Sequence, residues 1–241
     1  MRNWANTRLA GVLLTATLGA LVLSACGGEA AGKSNADLLK EAAANMKAAK
    51  SYQMTANVDQ AGQAVALTGM IDIGNNNTKM DMDVSGQKVS VIAVGSDVYL
   101  STDGGTTYSK SGAEGASITE GFGSFTKMWD SFQADQVDKA KDALKDGTPA
   151  TETIDGVATK HITANAKDLS ILGGASGTAT EGTLDLWIST DKPLVRQMKI
   201  DGTSGGQPIK GTLTWSKFDE KFDITAPPTA ASPNLLITAG K

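Results

Sequence analysis

The chain has 241 residues and a formal net charge of −4 at pH 7, enough for one sizeable domain or two small ones. Because it is acidic and has no basic cluster, its composition argues against a nucleic-acid ligand, whose phosphates demand positive charge. It contains a single histidine, His161, and a single cysteine, Cys26. That scarcity argues against histidine-based metal sites, a disulfide framework and histidine-based catalysis.

The first 25 residues have the layout of a secretory signal peptide. Arg2 and Arg8 precede an uncharged apolar run over residues 9–23, and small residues follow it. This run is shorter than the roughly 20 residues that a transmembrane helix needs. Without the two arginines, 20 basic residues face 26 acidic ones, so the mature chain carries a net charge of −6.

The motif Leu23-Ser24-Ala25-Cys26 resembles the lipobox of bacterial lipoproteins. In that class the signal peptide is cut just before the cysteine, and the thiol is acylated with diacylglycerol, with palmitate as a typical chain. The resemblance implies a protein that is lipid-anchored through Cys26 to the extracytoplasmic face of the bacterial cell membrane. A plain signal peptide with an incidental cysteine is the alternative.

Residues 26–33 are small and polar, which predicts a flexible tether that holds the next segment within about 15 Å of the membrane. Ser34 and Asp37 then approximate a capping box, and apolar residues recur at three- and four-residue spacing. This pattern predicts an amphipathic helix over residues 34–50 that docks on a core.

From Tyr52 the apolar period changes from 3.6 to 2. Between residues 79 and 84, methionine and valine alternate with lysine and aspartate, so apolar side chains lie on one face and charges on the other. Ser85-Gly86 predicts a two-residue turn, after which Val89 and Val91 continue the apolar face. The pattern predicts an antiparallel meander with one apolar and one wet face.

A second capping box, at residues 117–120, interrupts the meander. A helical segment follows and continues to about Lys145, where Gly147-Thr148-Pro149 is expected to stop it. Its large apolar side chains are either ordinary core or a surface that lines a ligand. They fall on one side of the predicted helix: Phe122, Phe125, Met128, Trp129 and Phe132.

Strands are expected to resume at Thr151. Asp155-Gly156 predicts a type I′ hairpin turn, and residues 181–189, 194–200 and 209–215 alternate again. Residues 222–224 predict a last short strand. The sequence thus divides into a signal peptide (1–25), a lipidated cysteine with its tether (26–33), one domain (34–228) and a flexible tail (229–241).

Motifs for catalysis and metal binding are weak. Gly202-Thr203-Ser204-Gly205-Gly206 matches the G-x-S-x-G pattern, but a nucleophile elbow needs a strand-to-helix turn, and this segment joins two predicted strands. Asp72 and the three asparagines at 75–77 lack the EF-hand spacing and predict a turn. Because no acid, base and nucleophile form one constellation, the sequence predicts a protein that is not an enzyme and has no cofactor.

Short motifs, taken in their order along the chain, resemble the LppX/LprAFG lipoproteins of mycobacteria and their relatives, whose fold is similar to the carriers LolA and LolB. The resemblance spans residues 33–228. It implies an α+β fold, an antiparallel β-sheet half-barrel with helices packed on its concave face. It also implies a hydrophobic cavity that holds acyl chains of membrane lipids or glycolipids, with no fixed catalytic residues. The motifs are Val94-Gly95-Ser96-Asp97-Val98-Tyr99, Ile154-Asp155-Gly156-Val157 leading into Lys160-His161-Ile162, and Leu186-Trp187-Ile188-Ser189.

The expected function is that of a monomeric lipoprotein that binds or carries lipid or glycolipid acyl chains and binds no nucleic acid and no metal. The alternative is a protein-interaction or sensor module whose core is filled by its own side chains. Under the first hypothesis the cavity is lined by Met80, Met82, Val89, Val91, Phe122, Phe125, Met128, Trp129, Leu184, Leu186, Met198, Ile200, Leu213 and Trp215.

Overall fold

The structure is a computed structural model. It describes residues 32–111, 128–165, 179–204 and 206–228. The limits of the four predicted segments and the lipid anchor stay predictions. Outside the described residues lie the signal peptide, Cys26 with most of the tether, Phe122, Phe125 and the tail 229–241, together with the side chain of Met128.

The described strands form one antiparallel sheet. They are β1 Ser51–Gln60, β2 Gln63–Asp72, β3 Asn77–Val84, β4 Gln87–Val94, β5 Asp97–Ser101, β6 Ser109–Lys110, β7 Lys145–Ile154, β8 Val157–Asn165, β9 Ala179–Ser189, β10 Val195–Ser204 and β11 Gln207–Ser216. Their spatial order is β6-β5-β4-β3-β2-β1-β11-β10-β9-β8-β7. Two meanders, β1–β6 and β7–β11, are therefore joined where β1 pairs with β11.

Two tight turns have the backbone that the sequence predicts. Ser85 and Gly86 have φ angles of 52° and 91°, and Asp155 and Gly156 have φ angles of 49° and 79°. A two-residue hairpin of type I′ requires a positive φ at both central residues. Both turn predictions are confirmed.

The alternation of side chains gives the sheet two distinct faces. We call the face that carries Met54 and its register partner Trp215 the inner face. The outer face carries Lys79 and His161. Because side chains in a strand alternate with a period of two, each residue's face follows from the registers of the paired strands.

Helix α1, Asn35–Ala48, lies on the inner face, where it contacts β9 and β10. Ser34 caps it, since its Oγ accepts a hydrogen bond from the Asp37 amide at 3.1 Å. Its apolar side meets a second helix, α2 Ala134–Ala140, and a 3₁₀ turn, Met128–Ser131. The buried core beneath these helices includes Leu38, Leu39, Met46, Met54, Ile71, Met80, Trp129, Val137, Ile162, Leu186, Met198 and Trp215.

These elements form an open half-barrel of the α+β class with helices on its concave, inner face, so the predicted fold class is confirmed. Among the described residues, no helix is long and apolar enough to cross a membrane.

The predicted helix that ends near Lys145 is wrong in its C-terminal part. Helix α2 ends at Ala140, a 3₁₀ turn covers Lys141–Ala143, and β7 already begins at Lys145. Lys145 pairs with Thr163, and residues 147–150 then bulge out opposite His161 before the pairing resumes at Thr151. The Gly-Thr-Pro segment that reads as a helix stop is a bulge inside a strand, because pairing with β8 continues on both sides of it.

The predicted last strand at residues 222–224 is also wrong. Residues 217–228 have no regular structure and cross to the outer face, where Phe222 and Ile224 pack against Ile92 and Tyr99. Their alternation resembles that of a strand, but β1, the strand they pass, is already paired with β2 on one side and β11 on the other. With both edges of β1 occupied, the segment covers the sheet without extending it.

Candidate functional site

The predicted lining residues of the described strands all lie on the inner face. Most of them are buried, whereas Met82 and Val89 are only half-buried. Phe122, Phe125 and the Met128 side chain lie outside the description. The buried members are Met80, Val91, Trp129, Leu184, Leu186, Met198, Ile200, Leu213 and Trp215.

The inner face divides into two halves. On strands β8 to β11 and on β1, its side chains join the core cluster beneath α1 and α2. On β3 the cluster includes Met80, and Met82 packs against it at its edge. On β4 and β5 the apolar inner side chains are not members of this cluster of described residues, although Val91 is itself buried. They are Val89, Val91, Ala93, Val98 and Leu100, of which Ala93 is buried as well.

The half of the inner face on β3 to β5 is thus the less packed one among the described residues. Along the inner face of β3 the burial falls from Met80, which is buried, through Met82, which is half-buried, to Val84, which is 39% exposed. Val89, Val98 and Leu100 are half-buried. The predicted lining therefore consists of a packed half beneath the helices and a half whose side chains are not fully enclosed by it.

Among the described residues, the buried donors without a hydrogen-bond partner include Trp129 Nε1, Trp215 Nε1 and Tyr52 Oη on the inner side. The two indoles meet edge to face, with centroids 5.2 Å apart and planes at 66°. Burial raises the pKa of Tyr52 to about 12, because the phenolate would lose its hydration. The aromatic rings around these donors are at most weak hydrogen-bond acceptors. This part of the core is therefore apolar except for the two indole N–H groups and the Tyr52 hydroxyl.

The only histidine of the chain is part of the outer face. Its ring stacks on Trp187, with centroids 4.3 Å apart and planes at 12°. Its Nε2 lies 2.9 Å from Asp185 Oδ1, and its Nδ1 lies 3.1 Å from the Pro149 carbonyl oxygen. His161 is therefore held on three sides, by ring stacking and by two hydrogen-bonding contacts.

The G-x-S-x-G segment connects β10 to β11, two antiparallel strands whose pairing reaches Ser204 and Gln207. The strand-to-helix turn of a nucleophile elbow is not formed there. Asp72 organises a turn, as predicted, because its Oδ1 accepts from the Asn75 amide at 3.1 Å. Among the residues described, no group of three or more histidine, cysteine or acidic side chains is placed to hold a metal ion.

Sequence reasoning missed a groove of about 640 Å³ on the outer face. Its floor is formed by polar side chains of β1 to β4, and one wall is formed by the loop after β5. The alternation of charges in β3 does indicate a wet face, but nothing in the sequence shows that a loop returns over it. The groove is lined by Thr55, Asn57, Ala66, Thr68, Lys79, Asp81, Asp83, Lys88, Ser90, Gly104, Gly105 and Tyr108, with Leu67 and Met82 at its base.

The fold is similar to that of two solved mycobacterial proteins. LprF from Mycobacterium bovis gives a TM-score of 0.54 at 15% sequence identity, over 80% of this chain and 96% of LprF. The lipoprotein LppX from Mycobacterium tuberculosis gives a TM-score of 0.51 at 18% identity, over 79% of this chain and 98% of LppX. No protein-family model matches the sequence, and no curated protein matches it either. At these identities the likeness concerns the fold, and the chain has the LppX/LprF-type lipoprotein fold that its sequence motifs predict.

Proposed function

We propose that this chain is a membrane-anchored extracytoplasmic lipoprotein that binds or carries acyl chains of lipids or glycolipids between its sheet and its helices. The observation that carries the proposal is the less packed half of the inner face. There, Val89, Val98 and Leu100 are apolar but stay outside the core cluster of described residues. An apolar surface that the described residues do not fill is a suitable lining for a lipid site.

The size of this surface suits an acyl chain. Strand β4 has eight residues, which at about 3.4 Å per residue gives a length of about 27 Å. One leaflet of a bilayer has a hydrocarbon thickness of about 15 Å, half of the whole core. An extended acyl chain therefore fits along this strand, and each methylene that leaves water contributes about 0.8 kcal/mol.

The proposed activity is binding without catalysis. His161 is held by Trp187, Asp185 and the Pro149 carbonyl. The segment that contains Ser204 is a strand connection, as described above. A serine hydrolase of the usual kind needs a histidine base beside its nucleophile, whereas both ring nitrogens of His161 face Asp185 and the Pro149 carbonyl.

The proposal is tested by enlarging a side chain on the less packed half. Val89→Trp directs an indole into the space over β4, so bound lipid should be displaced. Overpacking of this kind costs about 1–3 kcal/mol, which corresponds to a loss of lipid retention of about fivefold to 150-fold. Native mass spectrometry of protein purified from its own membrane measures the lipid bound per protein.

The matched control is Val157→Trp, the same substitution at a half-buried valine at the start of β8, on the outer face. It should retain lipid like the unaltered protein. If the unaltered protein carries no lipid, or if both variants lose it equally, the proposal is wrong.

A second candidate function is a protein-interaction or sensor module with a filled core. The packed half of the inner face favours it, because Leu184, Leu186, Met198 and Trp215 are almost completely buried beneath the helices. Such a module needs no lipid, so lipid-free protein from the native membrane would support it.

A further inference from the structure

The outer groove lies on the opposite side of the sheet from the proposed acyl-chain site. Its volume of about 640 Å³ is in the range of about 300–1,000 Å³ that is typical of small-molecule pockets. Its lining is mainly polar, with hydroxyl, amide, ammonium and carboxylate groups, and the ring of Tyr108 lies at one side.

The wall of the groove is a preorganised loop. Asp103 Oδ1 accepts hydrogen bonds from the amides of Thr106 and Thr107, both at 3.0 Å, and from Ser101 Oγ. These bonds hold the pKa of the Asp103 carboxyl well below its usual range. Ser101 Oγ in turn accepts from the Gly105 amide at 2.9 Å.

This loop lies directly against the floor. At Gly105, with φ of 89°, an added Cβ would lie 3.1 Å from Tyr108 Oη and 3.4 Å from Ser90 Oγ. At Gly104 it would lie 3.5 Å from Lys88 Cδ. A wall that is ordered before a ligand arrives reduces the entropy cost of binding.

The charges inside the groove are not paired with each other. Asp83 and Lys88 are direct register partners across β3 and β4, yet they form no ion pair. Asp83 accepts from the Gly86 amide at 2.7 Å instead. Asp201 and Lys210 are register partners on the same outer face, and they do pair, at 3.2 Å.

The side chain of Lys79 also has no ion pair or hydrogen bond among the described residues. Its register partners, Met70 and Ile92, are both apolar. A solvated sheet face usually brings opposite charges together across strands, as Asp201 and Lys210 do. In the groove, neither ammonium group, of Lys79 or of Lys88, donates to a described residue.

We propose that the outer groove binds a neutral saccharide. Two ammonium groups, of Lys79 and Lys88, balance two carboxylates, of Asp81 and Asp83, so the lining has no net charge. A phosphate would meet the carboxylates, a cation would meet the ammonium groups, and an apolar ligand would leave all four unsatisfied. Sugar hydroxyls both donate and accept, so they satisfy both kinds of group, while the apolar face of the sugar packs on Tyr108.

The test uses the full chain, purified from membranes in a detergent that has no sugar headgroup. Calorimetric titration with maltotriose, cellotriose and N,N′,N″-triacetylchitotriose should show binding of at least one, with a Kd below about 10 mM. Titration with inorganic phosphate should show none. The proposal is overturned if no neutral trisaccharide binds, or if phosphate binds as tightly as the best of them.

Two pairs of variants locate the binding. Ala66→Trp fills the groove and should weaken saccharide binding about tenfold or more, whereas Ala64→Trp, at an exposed alanine on the same strand and face, lies outside the lining and should not. Lys88→Met removes an unpaired donor and should weaken binding about tenfold, whereas Lys210→Met removes a paired one and should not. If the two variants of either pair weaken saccharide binding equally, the saccharide binds outside the outer groove and the proposal is contradicted. None of these variants touches the inner face, so lipid retention stays an independent measurement.

Discussion

At the scale of single residues, the close approach of Gly147 to His161 shows how tightly the outer face is packed around this imidazole. Gly147 begins the bulge of β7, and a Cβ at this position would lie 2.1 Å from His161 Nδ1. The imidazole cannot retreat, because Trp187 stacks on it at 4.3 Å and Asp185 holds Nε2. Position 147 requires glycine because the imidazole leaves no space for a Cβ. Its backbone conformation alone would allow other residues.

Gly147→Ala should therefore destabilise the protein by about 1–3 kcal/mol, the usual cost of forcing extra atoms into a packed site. Urea denaturation followed by circular dichroism measures the free energy of unfolding. Gly74→Ala is the control, because its nearest non-neighbouring atom, Asp72 Oδ1, would lie 3.6 Å from the new Cβ.

A double-mutant cycle identifies the cause. With His161→Ala in the background, the space for a methyl group is open and Gly147→Ala should cost much less. If its cost is the same with and without the imidazole, the contact with His161 does not explain the glycine.

At the scale of elements, the C-terminal strap, residues 217–228, connects the two faces of the sheet. Phe218 packs against the inner core, while Phe222 and Ile224 join the small outer cluster with Ile92 and Tyr99. Where the chain turns, Asp219 Oδ1 accepts from the Lys50 amide at 2.9 Å. The strap thus covers the apolar part of the outer face. This part adjoins the outer groove, because Tyr108 belongs both to the outer cluster and to the lining of the groove.

Ile224→Ala should cost about 2 kcal/mol, at the low end for a buried isoleucine, because the outer cluster is small. The same substitution at Ile73, which is 43% exposed, should change the free energy of unfolding by less than about 0.5 kcal/mol. Denaturant titration of both variants gives the comparison. Similar losses at the two positions would mean that the strap does not stabilise the sheet.

The same elements show how much of the fold can be predicted from the sequence. The period-two alternation of apolar residues and the turns at Ser85-Gly86 and Asp155-Gly156 are enough to predict the two meanders, because both signals are local in the sequence. The bulge of β7 and the strap were not predictable, because they depend on which strand edges are already paired. For the groove, Asp83 and Lys88 face each other across a recognisable hairpin, and local reasoning would pair them. In the structure Asp83 accepts from the Gly86 amide instead, and Lys88 lies beside the loop at Gly104.

At the scale of the whole molecule, the pairing of β1 with β11 makes a single wall from two meanders, and this wall separates two unlike surfaces. The inner surface is apolar and partly covered by helices, while the outer groove is polar and electrically balanced. The two proposed ligands therefore do not compete for space. Acyl chains on one side and a saccharide on the other are consistent with a protein that works between a membrane and the polar layer outside it.

If Cys26 anchors the chain, the start of α1 determines which end of the sheet lies near the membrane. Asn35 Nδ2 donates to the Leu144 carbonyl oxygen at 3.3 Å and to Asp146 Oδ1 at 3.2 Å, so the first turn of α1 is fixed beside the beginning of β7. The tether that precedes this turn is short. If Cys26 is acylated, the end of the sheet where β7 begins is the end held near the lipid headgroups.

Acylation of Cys26 is the prediction on which this orientation depends. Mass spectrometry of the membrane-extracted protein should find an N-terminus at Cys26 that carries a diacylglyceryl group, because the lipobox-like motif directs cleavage just before it. Cys26→Ala has no thiol to acylate, so it should be released from the membrane or keep residues 1–25. Gly28→Ala, two residues further on, leaves the thiol in place and should be processed like the unaltered chain. An unmodified N-terminus at residue 1 in the mature protein would contradict the lipid anchor, and the fold would then have to reach its lipid from solution.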